Sequence, residues 1–389
     1  MKNEIASKLY NFFLLVMLFT LPVTEGLKQI SLILFVLVGI YICVKEKKQF
    51  KFDVINVSFF IFVLATFISC LVNGVSPSRV LDPLRCMLFF FVARTVGTEK
   101  INFKFMFYAL FAGFIVAFIP ACIEKFSDPD PEAFLILKSI GHVNHSAIYI
   151  FLIFLTALLF ISNKNKNRSI NISISIICIL ALAIAGSRST AYMIPLVSVL
   201  IFSYLIYKKE VSFKLSLTLS ILFCVVFFTY LYITVAFTAD ERIYDQMSKG
   251  VQGGEFRFLI FESAFKTWQD NIFFGIGSGN FKSIDLTHFF PQSAKAHVSH
   301  SHNTFLTFLT EKGIIALLAY LVFQLSLFIK FIKNFRQSSL VFLALLILVF
   351  QNVISLVNTT FHHENALLML LFWALALGVI DEKNSIFKN

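Results

Sequence analysis

The sequence predicts an all-α integral membrane protein, and three observations predict it. The composition is too apolar for a water-facing surface, the apolar runs have bilayer-spanning length, and Lys and Arg concentrate in every second loop. Of 389 residues, 58% are hydrophobic and 14% charged, with a mean hydropathy of +0.82. A soluble domain carries about 25% charged residues. The runs are long enough to be spanning helices rather than barrel strands.

Roughly twelve such runs follow one another, at 10–23, 30–44, 54–72, 81–96, 105–123, 146–161, 170–185, 191–207, 215–236, 314–332, 340–356 and 366–380. The first has the position of a signal peptide, but no small-x-small cleavage site follows it and LPVTEGLKQ leads straight into the second run, so it reads as a retained span. The expected organisation is nine spans in 1–237, one large loop at 238–303, and three more spans with a tail in 304–389.

Orientation follows from the short loops. KEKKQFK (45–51), TEKINFK (98–104), NKNKNR (163–168), KKEVSFK (208–214), KFIKNFR (330–336) and the tail DEKNSIFKN, with the N-terminus, hold most of the 33 basic residues. The alternate loops hold few. Both termini are therefore expected in the cytoplasm. The net charge of +11 is largely this bias and calls for no nucleic-acid partner.

The opposite face then becomes informative. All eight histidines, His142, His145, His288, His297, His300, His302, His362 and His363, fall in loops on that face, while Cys43, Cys70, Cys86, Cys122, Cys178 and Cys224 fall within spans. The cysteines show no CxxC spacing, which argues against a thiol site. Any chemistry is expected outside the cytoplasm.

In the large loop, EFRFLIFESAFKTWQDN (255–271) places Phe258, Phe261, Phe265 and Trp268 three to four residues apart, with Glu262, Lys266 and Asp270 opposite. This is an amphipathic helix, resting on the bilayer surface or packed on the spans. FFGIGSGNF follows, with Gly275, Gly277 and Gly279. A dinucleotide-binding motif would need a preceding strand in a βαβ unit. Here the glycines read as a turn that sends the loop back toward the membrane.

Arg188, in AGSRSTAY, is the one charge between two spans with almost no loop between them. Such a cation is costly without an anionic partner. Arg257 stands near the start of the amphipathic helix. Two guanidiniums at one depth suit a phosphate or diphosphate, whose oxygens they meet bidentately; each alone also fits a side chain reaching lipid phosphate. His297-x-x-His300-x-His302 fits no zinc spacing and has no carboxylate before Glu311. One histidine at the mouth of a span, beside such arginines, reads as a general base or acid. His297 and His300 read as structural or solvated.

These residues carry a resemblance. His302-Asn303, followed after nine residues by Gly313, is similar to the signature of bacterial O-antigen ligases and the polymerases that share their domain. GSRST around Arg188, Arg257 at the loop helix, and GIGSGN after it resemble family motifs, best from about 185 to 318; Ala316 stands where the family usually has Gly, Thr or Tyr.

The resemblance implies a GT-C-like membrane glycosyltransferase, multi-pass in the bacterial inner membrane and active on the periplasmic face. Its donor would be O antigen on undecaprenyl diphosphate, and its acceptor a sugar hydroxyl of lipid A-core. His302 would take the hydroxyl proton and Arg188 and Arg257 would hold the diphosphate, with inversion and no metal or other cofactor. Asn303, His300, His142, His145, His363 and Glu364 are second-rank candidates near the acceptor. A polymerase, a protein O-oligosaccharyltransferase and a polysaccharide transporter are the alternatives. A transporter would be expected to bury ionisable groups mid-span.

Overall fold

The computed structural model describes residues 2–127, 135–161, 168–185, 187–226, 228–229, 253–284 and 300–386. Among them every regular element is helical. The helices are α1 (Lys2–Thr20), α2 (Glu25–Lys45), α3 (Val54–Val72), α4 (Leu81–Val96), α5 (Phe103–Ser127), α6 (Val143–Leu159) and α7 (Arg168–Ala185). There follow α8 (Arg188–Ala191), α9 (Met193–Tyr207), α10 (Phe213–Val226), α11 (Gly253–Gln269), α12 (Thr304–Asn334), α13 (Ser339–Ser355) and α14 (His363–Ile386).

Each predicted apolar run falls on a helix, although only part of 215–236 lies within the described residues. Six helices, α2, α3, α5, α7, α12 and α14, are long and apolar enough to cross a membrane, while α6, α9, α10 and α13 are apolar but shorter. A 17-residue helix rises about 26 Å against a hydrocarbon core of about 30 Å. The shortfall is tolerable for α6, because nearly all of its side chains are buried against protein.

The chain alternates between two polar ends. At one end Arg94, closing α4, pairs with Asp53, which caps α3, and with Asp381 near the end of α14. Lys51 and Lys330 also approach Asp381, at 2.9 and 3.8 Å. The charge of a buried guanidinium is thus matched by two carboxylates. The six described histidines gather at the other end, where α6, α12 and α14 begin.

Between the ends, apolar attraction does little to choose one helix neighbour over another in lipid, so close packing and small residues set the crossings. A Cβ on Gly113 of α5 would overlap the Phe19 backbone of α1. The centre is aromatic. Phe59 of α3 stacks on Phe323 of α12 at 4.7 Å, Phe90 of α4 meets Phe323 edge-on at 5.7 Å, and Tyr320 packs on Phe308 and Phe361. This core fixes α3, α4, α12 and α14 as one block under the histidine end.

Candidate functional site

The site is built from three helix starts. His142 caps α6: Asn144 N–H donates to its Nδ1 at 3.2 Å, which fixes the ring. His145 lies one turn on, in the first turn of α6 rather than in the loop expected, 5.3 Å from His142 between ring centroids. His300 lies 6.4 Å from His142 and 4.7 Å from His302, and His362 lies 5.1 Å from His145 and 3.6 Å from His363. Six imidazoles therefore form one continuous group, drawn from positions more than 200 residues apart. Among the described residues no trio of His, Cys, Asp or Glu has the arrangement of a metal site. His288 and His297 lie outside the described residues.

His302 adopts φ 55°, a left-handed conformation uncommon outside glycine. Its Nδ1 is buried with no hydrogen-bond partner among the described residues. The residues around it are firmly held. Ser301 Oγ and Thr307 Oγ1 lie 2.8 Å apart, and Asn303 caps α12 by accepting from Leu306 N–H at 3.0 Å. Asn303 also donates to the Leu356 carbonyl at 3.1 Å. The strained backbone is thus imposed from both sides, as at positions where one side chain must be aimed.

Arg188 opens α8, and its backbone is what the structure describes of it. The serines on either side tie that turn to the histidine group. Ser187 Oγ donates to Asn144 Oδ1 at 3.2 Å, and Asn358 Nδ2 donates to Ser189 Oγ at 2.7 Å. Asn144 sits between His142 and His145 in sequence, so the Arg188 turn lies against them. Arg257 is exposed on α11, and its charge acts on His302.

The amphipathic helix behaves unlike its apolar stripe alone suggests. α11 packs on the first part of α12 through Ile260 and Ala264, which bury with Phe281, and Thr310 Oγ1 donates to the Ala264 carbonyl at 3.1 Å. Half of the predicted stripe turns away from the protein, with Phe258 69% and Phe265 45% exposed, while Phe261 and Trp268 are half-buried. Aromatic side chains pointing off the protein at this level suit the bilayer interface.

The glycine run returns the chain to the membrane by docking into a break in α12. Gly313 (φ 80°, ψ 179°) interrupts the helix, which frees backbone groups on either side of it. The loop satisfies them: Ile276 and Gly277 N–H donate to the Thr310 and Glu311 carbonyls at 3.0 and 2.8 Å, and Ile314 N–H donates to the Ile272 carbonyl at 2.9 Å. Ser69 Oγ of α3 donates to the Phe274 and Glu311 carbonyls at 2.5 and 2.9 Å. A Cβ on Gly275 would overlap α12, and one on Gly313 would overlap the Phe273 carbonyl.

Residues 173–321 match the family model described as O-antigen ligase, Wzy_C. That stretch holds the Arg188 turn, Arg257, the glycine loop, His302 and the broken start of α12. Residues 173–321 carry an O-antigen ligase family domain. The family's members are membrane glycosyltransferase-like enzymes whose substrates are lipid-linked polysaccharides. No curated protein matches the sequence.

His300 and His302 of the O-antigen ligase family domain, with His142 and His362 beside them, are pushed toward the neutral form. Burial, with contributions from His302 and His142, pushes His300 down to about 4. Burial and then the Arg257 charge lower His302, burial alone lowers His142, and burial with His363 and His145 puts His362 well below the ordinary range. Neutral imidazole accepts a proton, so these four side chains offer bases rather than cations at neutral pH. Folding thereby opposes protonation. Stability is full above the unfolded histidine value, about 6.5, and is lost as pH falls from there toward about 4. Thermal unfolding in detergent is expected to weaken over that window, and His300→Gln to flatten the dependence.

The remaining candidates have partners of their own. His363 Nδ1 lies 3.0 Å from Asp82, which lies 3.0 Å from Arg85. Glu364 closes a buried ion pair with Lys28, which Glu25 also meets at 2.6 Å. The sequence reading passed over Arg79, Asp82 and Arg85 in SPSRVLDPLRC. Their signal was present: two arginines on the face whose short loops otherwise hold few basic residues.

Proposed function

We propose that the chain is an O-antigen ligase of the bacterial inner membrane. It transfers an O-antigen polysaccharide from undecaprenyl diphosphate to a sugar hydroxyl of lipid A-core on the periplasmic face, with both termini in the cytoplasm. The observation that carries this reading is the half-buried His302, its Nδ1 unpartnered among the described residues and the Arg257 charge acting on it, inside the matched segment and at the histidine end of the bundle.

His302 removes the proton from the attacking hydroxyl as the new glycosidic bond forms and the bond to the diphosphate breaks, giving inversion. Arg188 and Arg257 hold the charge gathering on the diphosphate, already a good leaving group. Both substrates are lipid-anchored, so the membrane brings the reacting groups to one depth. The step as written needs no metal or other cofactor. His142, His145, His300 and His363 line the acceptor side, with Asn303 and Glu364 supporting the helix starts beneath them.

Arg188→Lys tests the clamp. Lysine keeps the charge but cannot meet two oxygens in a plane, so transfer should fall by at least tenfold at matched protein level; wild-type activity would remove the bidentate role. Lipopolysaccharide from cells lacking the gene tests the activity itself. Rough lipopolysaccharide with full-length polymer accumulating on undecaprenyl diphosphate is expected. Core bearing a single repeat would mark a polymerase, and an unchanged ladder would contradict both.

A further inference from the structure

The connection from α13 to α14 is short and reads LVNTTFH, from Leu356 to His362. A loop at a membrane surface ordinarily shows its polar side chains to water. Here Asn358, Thr359 and Thr360 are all buried, and buried polar groups need partners inside the protein. Where those bonds go decides what the connection does.

It runs between the two segments that carry the chemistry of the site. On one side lies the start of α12. Asn303 donates to the Leu356 carbonyl at 3.1 Å, Thr304 Oγ1 donates to the Asn358 carbonyl at 3.1 Å, and Thr360 N–H donates to Thr304 Oγ1 at 3.0 Å. Asn303 and Thr304 directly follow His302. On the other side lies the Arg188 turn, where Asn358 Nδ2 donates to Ser189 Oγ at 2.7 Å. Asn358 therefore bonds the His302 segment through its backbone and the Arg188 segment through its side chain.

The residue is itself firmly placed. Its N–H donates to the Ile354 carbonyl at the end of α13, at 2.9 Å. Beneath it Gln351 Nε2 reaches Ser355 Oγ and Thr360 Oγ1 at 3.0 and 3.1 Å. Phe361 stacks on Trp373 of α14 at 6.3 Å and packs on Tyr320 of α12. The connection is thus anchored in the aromatic block, and a group held this way can hold others in place.

We infer that Asn358 is a positioning residue for transfer, fixing the Arg188 turn relative to His302 so that the cation on the diphosphate and the base on the hydroxyl serve one reacting centre. The inference rests on the roles proposed above for Arg188 and His302. Asn358 lies beyond the matched residues 173–321 and acts through two segments inside them. The bond from Ser187 to Asn144 ties the turn to α6 and not to α12. Without the Asn358 side chain the turn stays attached to the bundle and loses its register with His302.

Kinetics and hydrogen exchange on the purified full-length protein in nanodiscs test this, with undecaprenyl-diphosphate-linked O antigen as donor and lipid A-core as acceptor. Asn358→Ala should lower the rate at saturating donor about 10- to 100-fold, up to the cost of a misplacement near 1 Å. Ser189→Ala breaks the same bond from the other side and should repeat the loss, which covers the case in which Asn358→Ala folds poorly. Each should also raise the KM for donor, because Arg188 acts on the diphosphate; a folding defect that only removes active enzyme would leave KM unmoved. The double variant should lose no more than the worse single one, and Ser189→Thr, which keeps the hydroxyl, should recover most of the rate. Amide exchange at 188–192 should quicken about three- to tenfold in both alanine variants, the worth of one hydrogen bond.

Additive losses in the double variant, a wild-type KM in both alanine variants, or unchanged exchange at 188–192 would overturn the inference. The two readings fail separately. Unchanged lipopolysaccharide in cells lacking the gene, with exchange at 188–192 quickened in the variants, would remove the proposed function and support the tie between the turn and α12. A lipopolysaccharide defect with wild-type kinetics in both alanine variants would remove the role of Asn358.

Discussion

His302→Ala is expected to lower O-antigen transfer by about 10²- to 10⁴-fold, the contribution of a positioned general base. That is roughly 3 to 5 kcal/mol of barrier. The loss should appear in the rate at saturating donor, because His302 is assigned to the proton and not to the diphosphate. It should also come without a folding defect. The His302 side chain leaves Nδ1 unpartnered, and the caps that hold α12 come from Ser301 and Asn303, so alanine removes no bond on which the helix start depends. Near-normal transfer in membranes at matched protein level would end the base assignment.

Gly313→Ala is expected to have the second largest effect, by another route. The position is left-handed at φ 80° and lies against the Phe273 carbonyl. An L side chain there costs roughly 1–3 kcal/mol in backbone strain alone, and its Cβ must displace the docking loop. The loop carries α11 and Arg257 and contacts the segment that begins at His302. Transfer should therefore fall by more than tenfold while the aromatic block below, built on Phe59, Tyr320 and Phe323, keeps the bundle folded. The measurement is transfer beside the thermal midpoint in detergent. Full activity would mean that the seating of the loop does not position the site.

The helices were legible in the sequence because lipid imposes a simple rule: a chain that crosses must be apolar and must bond its own backbone. The runs at 54–72 and 81–96 coincide with α3 and α4. The gathering of histidines at one end was legible too, since alternation of the spans assigns each loop to a face. Which imidazoles meet was not. The contact of His145 with His362 joins the starts of α6 and α14, and nothing local in GHVNHS or FHHEN encodes that pairing.

The break in α12 escaped the sequence for a related reason. TFLTFLTEKGIIALL has helical periodicity on both sides of Gly313, and the partners that make a broken helix stable lie 34 to 42 residues upstream and on α3. The glycine run was rightly a turn, but its destination depended on that break. Lys28 offered a usable signal. A lysine in the first turn of an apolar helix needs a partner, and the search for one would have led to Glu364.

The most direct test of the central claim is reconstitution of the purified protein with undecaprenyl-diphosphate-linked O antigen and lipid A-core, in parallel with His302→Ala. Wild-type protein is expected to join the polysaccharide to the core with inversion and release undecaprenyl diphosphate, while the variant retains donor binding and loses transfer. Retention of wild-type transfer by the variant, or a wild-type protein that binds donor yet transfers to no acceptor, would contradict it.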